Sequence, residues 1–446
     1  MLPTGDPVPE RPLTFLFMPE SAYGPTNNCV GIGEVLRRRG HRVVFAAEAS
    51  WAGKLAALGF EEDLVDLAPP PEPTEGGAAG ADPGAFWKEF IRDTSPEFRK
   101  PTVDQLETFI APTFQALADG ARYCEPQLRE IIARHRPDVI VIDNVVAFPA
   151  LLTAGVPYVR IMSCNPLEAP GADVPHTFSG LPIDDRTQWA SFQAEFDRTH
   201  RALWTDFNAW VVEQGAPPLP DLEFVHTSEH ANLYVYPEVV DYVDRRPLDR
   251  TWHRLDSSVR TTDATVELPS WLTDRPEGSA LVYLSLGSLG SADVDLMRRL
   301  VSVLAQTPHR YIVSKGPQAA DYELAPNMWG AEFLPQTTLL PLVDLVITHG
   351  GNNTTTEAFH HGKPMVVLPL FWDQYDNAQR VHETGFGVRL ATYTFEDHEL
   401  TGAVDRLLAD TDLRARMAAN AAEIQRRDGR TKAADVLEQV GRSAGR

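Results

Sequence analysis

The chain predicts an α/β protein made of two open parallel-sheet domains facing each other across a cleft, and three observations predict it. Its 446 residues are too many for one ordinary core and suit two domains of roughly 200 residues each. Short apolar runs alternate with amphipathic segments, the order expected of a parallel sheet covered by helices on both faces. From 237 to 278 the chain is rich in Pro, Asp, Arg and Thr and has no sustained periodicity. These features place an N-terminal domain over 1–240, a connection over 241–278 and a C-terminal domain over 279–446, with Trp252 or Trp271 expected as a wedge between the domains.

Taken in order, 14–19 reads as a strand and 30–39 as a helix closed by Gly40. The run 43–47 is a strand, and 51–58 a helix closed by Gly59. The segment 68–84 carries Pro-Pro-Pro and Gly-Gly-Ala-Ala-Gly runs that cannot form a core element, so it is expected as a loop. Helices rich in Trp and Phe follow, with Trp87, Phe90, Trp189, Phe192, Trp204 and Trp210. Between them, 127–135 is a helix, 137–143 a strand, 149–154 a short helix and 158–163 a strand. The second half repeats the theme with a strand over 280–286, a helix over 293–305 and a strand over 310–314. Strands over 343–348 and 365–370 complete it, and 431–440 is a closing amphipathic helix. His41 is expected to be structural at the start of its strand, and Arg426, Arg427 and Arg430 a solvated helix end.

Composition narrows the function. Hydrophobic content of 43% and charged content of 23% describe a soluble globular protein. The net charge is −22, from 62 acidic and 40 basic residues, which argues against broad contact with nucleic acid or an anionic membrane. Cys29, Cys124 and Cys164 are odd in number and lack metal-type spacing, as reduced cytosolic thiols would. No signal peptide is visible and no apolar run approaches the ~20 residues that span a bilayer. The protein is expected to be cytoplasmic, without membrane or nucleic-acid partners, and a monomer or homodimer.

The stretch 348–378 carries the chemistry. It reads Thr-His-Gly-Gly-Asn-Asn-Thr-Thr-Thr-Glu, then Gly362-Lys363-Pro364, Leu368-Pro369-Leu370-Phe371-Trp372-Asp373-Gln374 and Asn377-Ala378. An apolar strand runs into His349 and two glycines, with a helix expected to start near Asn353. Free N–H groups and a helix dipole at a strand end suit a phosphate, and Gly350 and Gly351 let the backbone approach it. Glu357 lies two turns into that helix, and the next strand delivers Asp373 and Gln374 to the same rim. A diphosphate cradle beside a carboxylate–amide pair suggests a nucleotide sugar.

The pattern resembles the donor signature of the family 1 glycosyltransferases, the UDP-glycosyltransferase group that includes bacterial enzymes acting on natural products. The residues that carry the resemblance are Pro335-Gln336, His349-Gly350-Gly351, Asn353-Thr354, Glu357, Gly362, Pro364, Pro369, Asp373-Gln374 and Asn377-Ala378. It implies the glycosyltransferase-B fold of two Rossmann-like domains, with the last helix crossing back onto the first domain. It also implies that His349, Gly351 and the N–H groups of Asn353 and Thr354 meet the diphosphate and that Glu357 holds the ribose. Asp373 and Gln374 then read the sugar hydroxyls, with Trp372 packed beneath them. Gly287-Ser288 is expected to add a phosphate contact, and Phe333 or Gln336 to meet the base. No cofactor and no metal are implied beyond the nucleotide sugar itself; Asp293-Val294-Asp295 reads as an acidic helix start.

One departure concerns the base. Most relatives carry a Gly-His pair after the first strand, and here that pair falls on Gly24-Pro25. Proline accepts no proton. Asp143 at a strand end, or Glu20 after the first strand, are the candidate replacements as catalytic base. The leading reading is an inverting transfer of a hexose, expected as glucose from UDP-glucose, to a hydroxyl of a hydrophobic natural product. A non-catalytic nucleotide-binding partner of another transferase, or a UDP-N-acetylglucosamine epimerase on the same fold, are the alternatives.

Overall fold

A computed structural model describes residues 11–69 and 94–444. Most of the expected loop 68–84, together with Trp87 and Phe90, lies outside the described residues. Two parallel sheets form two layers of α/β structure. The first holds β1 (Thr14–Pro19), β2 (Arg42–Phe45), β3 (Glu61–Glu62), β4 (Val139–Asp143), β5 (Tyr158–Met162), β6 (Ala231–Tyr234) and β7 (Trp252–Arg254). Their spatial order is β3-β2-β1-β4-β5-β6-β7. The second holds β8 (Leu281–Ser285), β9 (Arg310–Ser314), β10 (Met328–Ala331), β11 (Leu345–Thr348), β12 (Met365–Val367) and β13 (Gly387–Arg389). Its order is β10-β9-β8-β11-β12-β13.

Both sheets therefore start in the middle and wind outward in two directions. Each has one switch point, between β1 and β4 in the first and between β8 and β11 in the second, where a crevice opens at the strand ends. The central strands are buried along their whole length because they are apolar on both faces, as in Val-Ile-Val-Ile-Asp of β4 and Leu-Val-Tyr-Leu-Ser of β8. Register pairs Pro19 with Asp143 and Thr348 with Ser285, so the residues ending these strands are neighbours.

Three expectations differ from the structure. The strand β7 falls inside 241–278 and pairs with β6, Trp252 opposite Asn232, so the first sheet reaches past residue 240. Three residues are too few to show a period. Neither tryptophan wedges the domains: Trp252 packs on Tyr234 and near Arg160 in the first sheet, and Trp271 is exposed beside Arg310. The first helix runs Tyr23–Arg38, a full two turns earlier than expected from 30. Pro25 is accommodated because in a first turn a proline removes only an N–H that has no helical partner.

The closing helix Gly429–Ala444 lies against the N-terminal domain. Arg39 Nη1 donates to Asp435 at 2.7 Å and to Glu438 at 2.9 Å, and Lys432 Nζ donates to Arg254 O at 2.8 Å. A Cβ on Gly429 would sit 2.0 Å from Leu255 O, so only glycine lets the chain cross there. Arg427, expected in solvent, instead bonds Asp256 Oδ2 at 3.2 Å and pairs with Glu238 of the same domain. Arg426 pairs only locally with Glu423. His41 accepts the Leu13 N–H on Nδ1 at 3.0 Å, a structural bond at the start of β2.

Candidate active site

The C-terminal switch point gathers the residues expected at a diphosphate. Beyond β8, Gly287 takes a φ of 72° and opens the short turn Gly287–Gly290 that carries Ser288. Beyond β11, the imidazole of His349 fits between two glycines. A Cβ on Gly287 would lie 2.9 Å from its Cε1, and one on Gly351 would lie 2.6 Å from its Nε2. Burial pushes the His349 imidazole down to about 4, so it is neutral at pH 7 and acts as a hydrogen-bonding group without charge. Gly350 has a φ of 86°, and a side chain there would strike Val367. The helix Asn352–His360 then starts with Gly351 at its N-cap and no side chain capping it. Its first N–H groups, including those of Asn353 and Thr354, are left for a ligand.

Glu357 lies buried one turn further, and its carboxylate has protein partners. Gln336 Nε2 donates to Oε2 at 2.5 Å, while Asn353 Nδ2 and Arg260 Nη1 reach Oε1 at 3.1 and 3.2 Å. Gln336 also donates to Thr354 Oγ1 at 3.2 Å. Burial raises the Glu357 carboxyl, and the Arg260 charge opposes that rise. Arg260 is held by Asp263 through two bonds of 2.8 Å, and Asp263 accepts the Thr337 hydroxyl at 2.8 Å. Arg260 belongs to the aperiodic connection, and no sequence signal marks it as part of this site. Phe333, an aromatic that could equally have been core, is 55% exposed at the end of β10, as a stacking surface must be.

Asp373 and Gln374 play different parts. Gln374 Oε1 accepts the N–H groups of Leu370 and Phe371 at 3.1 and 3.3 Å and so ties its own loop. Asp373 Oδ2 accepts the Asn165 N–H from the other domain at 2.8 Å. Burial pushes the Asp373 carboxyl up to about 7. Trp372, expected beneath this pair, has a φ of 58° and turns into the N-terminal domain. Its ring stands 5.3 Å from Phe114 and 4.6 Å from Phe178. Phe224 and His200 continue that aromatic group.

Across the cleft, the first switch point brings Asp143 and Glu20 together: the Glu20 N–H donates to Asp143 O at 2.7 Å. Asp143 Oδ2 accepts the Ser163 hydroxyl at 2.6 Å and faces Cys29 Sγ at 3.8 Å. Burial pushes its carboxyl up to about 8; Ser163 opposes the rise, and Glu168 and Glu20 add to it. Glu20 accepts from Ser21 Oγ and Ala22 N at 2.9 Å each, fastening the start of the helix Tyr23–Arg38. Its carboxyl is likewise raised by burial. Gly24 and Pro25 lie in that helix's first turn, and a Cβ on Gly24 would stand 3.7 Å from Asn353 Cβ. Asn352 Nδ2 completes the junction by donating to Ser163 O and Val235 O at 2.9 Å each. Thus Ser163 touches both the candidate base and the residue that opens the helix Asn352–His360. Asp293, by contrast, caps its helix at Leu296 N and pairs with Arg99, and both bonds are structural.

Known proteins resemble this chain in sequence and in fold. The profile of the UDP-glucoronosyl and UDP-glucosyl transferase family matches residues 271–419, which span β8 to β13. A demethyllactenocin mycarosyltransferase of Streptomyces fradiae is 26% identical over 96% of this chain and 86% of its own length. Over the matched residues the chain resembles this glycosyltransferase family, and the resemblance to the mycarosyltransferase runs through both domains. The transferase also shares its fold with the glycotransferase of kitacinnamycin, with a TM-score of 0.69 at 24% identity over 96% of this chain and 99% of that one. A second structure, the glycosyltransferase VinC in complex with dTDP, superposes with a TM-score of 0.65 at 19% identity, over 97% of this chain and 100% of the other. With glycosyltransferases as its relatives over almost its whole length, the chain is an enzyme of glycosyl transfer. Among the described residues no helix of the transferase is long and apolar enough to cross a membrane.

Proposed function

We propose that the enzyme transfers a hexose from a nucleoside diphosphate sugar to a hydroxyl of a hydrophobic natural product, with inversion at the anomeric carbon. The observation that carries this reading is the facing of two switch points, with His349 and an uncapped helix start on one side and Asp143 on the other, joined by the Asn352–Ser163 bond. The acceptor hydroxyl attacks in line as the diphosphate leaves. Its proton passes to Asp143, with Glu20 as the alternate, and the leaving charge is taken by helix N–H groups and the neutral His349. The names of relatives such as the demethyllactenocin mycarosyltransferase and an oleandomycin glycosyltransferase support a natural-product acceptor. The family description supports UDP-glucose as donor; a dTDP sugar is the second reading, favoured by the dTDP bound in the VinC structure.

Thermal-shift titration with UDP, dTDP and their glucose conjugates ranks the donors. Incubation with phenolic and macrolide aglycones, followed by mass spectrometry and the anomeric proton coupling of the product, then reads transfer and inversion. Turnover is expected to persist in excess chelator, because backbone and imidazole groups serve the diphosphate. A protein that no nucleotide stabilises, or a product that retains the donor's anomeric configuration, would sink the proposal.

A further inference from the structure

The carboxylate assigned to the sugar stands on the C-terminal domain, yet the other domain fixes its position. Asp373 Oδ2 accepts the Asn165 backbone N–H at 2.8 Å and lies 3.4 Å from Asn377 Nδ2. Asn165 is fully buried just after β5, and its side chain is engaged at both ends. Its Nδ2 donates to Asn377 Oδ1 at 2.8 Å and to the Tyr236 hydroxyl at 3.1 Å, and its Oδ1 accepts the Leu167 N–H at 3.0 Å. Asn377 in turn donates to Gly350 O at 2.9 Å, inside the His-Gly-Gly turn.

We propose that Asn165 is a positioning residue for the donor sugar: by holding Oδ2 of Asp373 it presents Oδ1 to the sugar hydroxyls, so sugar recognition is complete only when the two domains are docked. This deepens the donor reading above and rests on it. A carboxylate swings about its terminal torsion unless one oxygen is anchored, and a misdirected acceptor loses much of its hydrogen bond. The nucleotide end is different. His349, Glu357, Gln336 and Phe333 all stand on the C-terminal domain, so the bare diphosphate should bind without help from Asn165.

The backbone at Asn165 allows a clean test. Its φ of −53° and ψ of 140° lie in proline's range, so Asn165→Pro removes the N–H together with the side-chain anchors. Asn165→Ala keeps the N–H and removes the side-chain anchors. Asp373→Ala calibrates the sugar contact itself. Calorimetry would compare UDP with UDP-glucose and dTDP with dTDP-glucose, alongside the rate of donor hydrolysis. Diphosphate affinity is expected within about twofold of wild type throughout. Affinity for the sugar nucleotide and donor hydrolysis should fall at least about fivefold in Asn165→Pro and Asp373→Ala, the loss expected of one charge-assisted hydrogen bond. Asn165→Ala should fall in between. If the Asn165 variants match wild type while Asp373→Ala loses the sugar, the inference fails and the sugar site stands. Equal weakening of diphosphate and sugar nucleotide would mark Asn165 as structural only, and also overturns it. If Asp373→Ala keeps full sugar affinity, the sugar reading itself is wrong. Should Asn165→Pro not fold, the ratio in Asn165→Ala decides.

Discussion

At the scale of single residues, Asp143 and Glu357 show how burial and partners divide the work between two carboxylates. Asp143 sits in apolar surroundings beside Ser163 and Cys29, and its ionised form is disfavoured until about pH 8. A base of that strength accepts a proton well but is ionised in only part of the molecules at neutral pH. Transfer to an aliphatic alcohol should therefore rise with pH up to about 8 and then level off, as a pH–rate profile would show. Asp143→Asn should flatten the profile and lower the rate by about 10²–10⁴-fold, with nucleotide affinity unchanged. The defect should shrink for acidic phenols, which need less help to lose the proton. A near-normal rate in Asp143→Asn with a large loss in Glu20→Gln would exchange the two roles. Glu357 is expected to hold the ribose. Glu357→Ala should weaken UDP or dTDP binding by ~1.5–3 kcal/mol, the range for a hydrogen bond to a charged group. Arg260 keeps Asp263 in that variant, so the fold has no new unpaired cation. Equal calorimetric affinities for variant and wild type would refute the ribose assignment.

Among the elements, the turn from β11 into the helix Asn352–His360 is the most constrained. Three successive residues serve three purposes there: His349 supplies the imidazole, Gly350 the positive φ, and Gly351 the room for the ring. The backbone of Gly351 has an ordinary φ of −56°, so alanine is conformationally permitted. Its methyl group would nonetheless press on Nε2 of His349. Gly351→Ala should lower the melting temperature, because forcing a methyl into a packed site costs about 1–3 kcal/mol, and should reduce diphosphate affinity by about tenfold as the ring is displaced. A variant that binds diphosphate like wild type would show that the ring need not stay between the glycines.

At the scale of the whole molecule, buried acids join the two domains. Asp376 on the C-terminal domain accepts N–H groups of Phe178 and Gly180 at 2.6 and 2.8 Å, and burial pushes its carboxyl up to about 7, as it does for Asp373. Arg380 and Arg389 bond Val240 O and Gly180 O across the same boundary. A carboxyl that titrates near 3.8 when unfolded and near 7 when folded keeps its proton longer in the native state. Stability therefore falls as pH rises through that window and is favoured at its acid end. Asp376→Asn removes this titration. The melting-temperature difference, wild type minus variant, should grow as pH is lowered from 8 to 5. A difference independent of pH would mean that Asp376 is ionised throughout in the folded protein.

The sequence by itself determined the alternation of strands and helices and the clustering of the candidate site residues over 348–378. Both signals are local: apolar runs on a two-faced strand, and side chains placed by a strand end and the helix that follows it. It also showed that Pro25 leaves no base at its position, since a side chain's chemistry needs no coordinates. Only the tertiary structure decided what these groups face. Gln374 turned out to tie its own loop, Trp372 to enter the other domain, and Glu357 to be held by Arg260 from the aperiodic connection. The three-residue strand β7 and the Asn165–Asp373 bond were equally out of reach. A contact between residues 208 positions apart leaves no periodicity in either segment, because it is made by the packing of two domains and not by the run of residues within one.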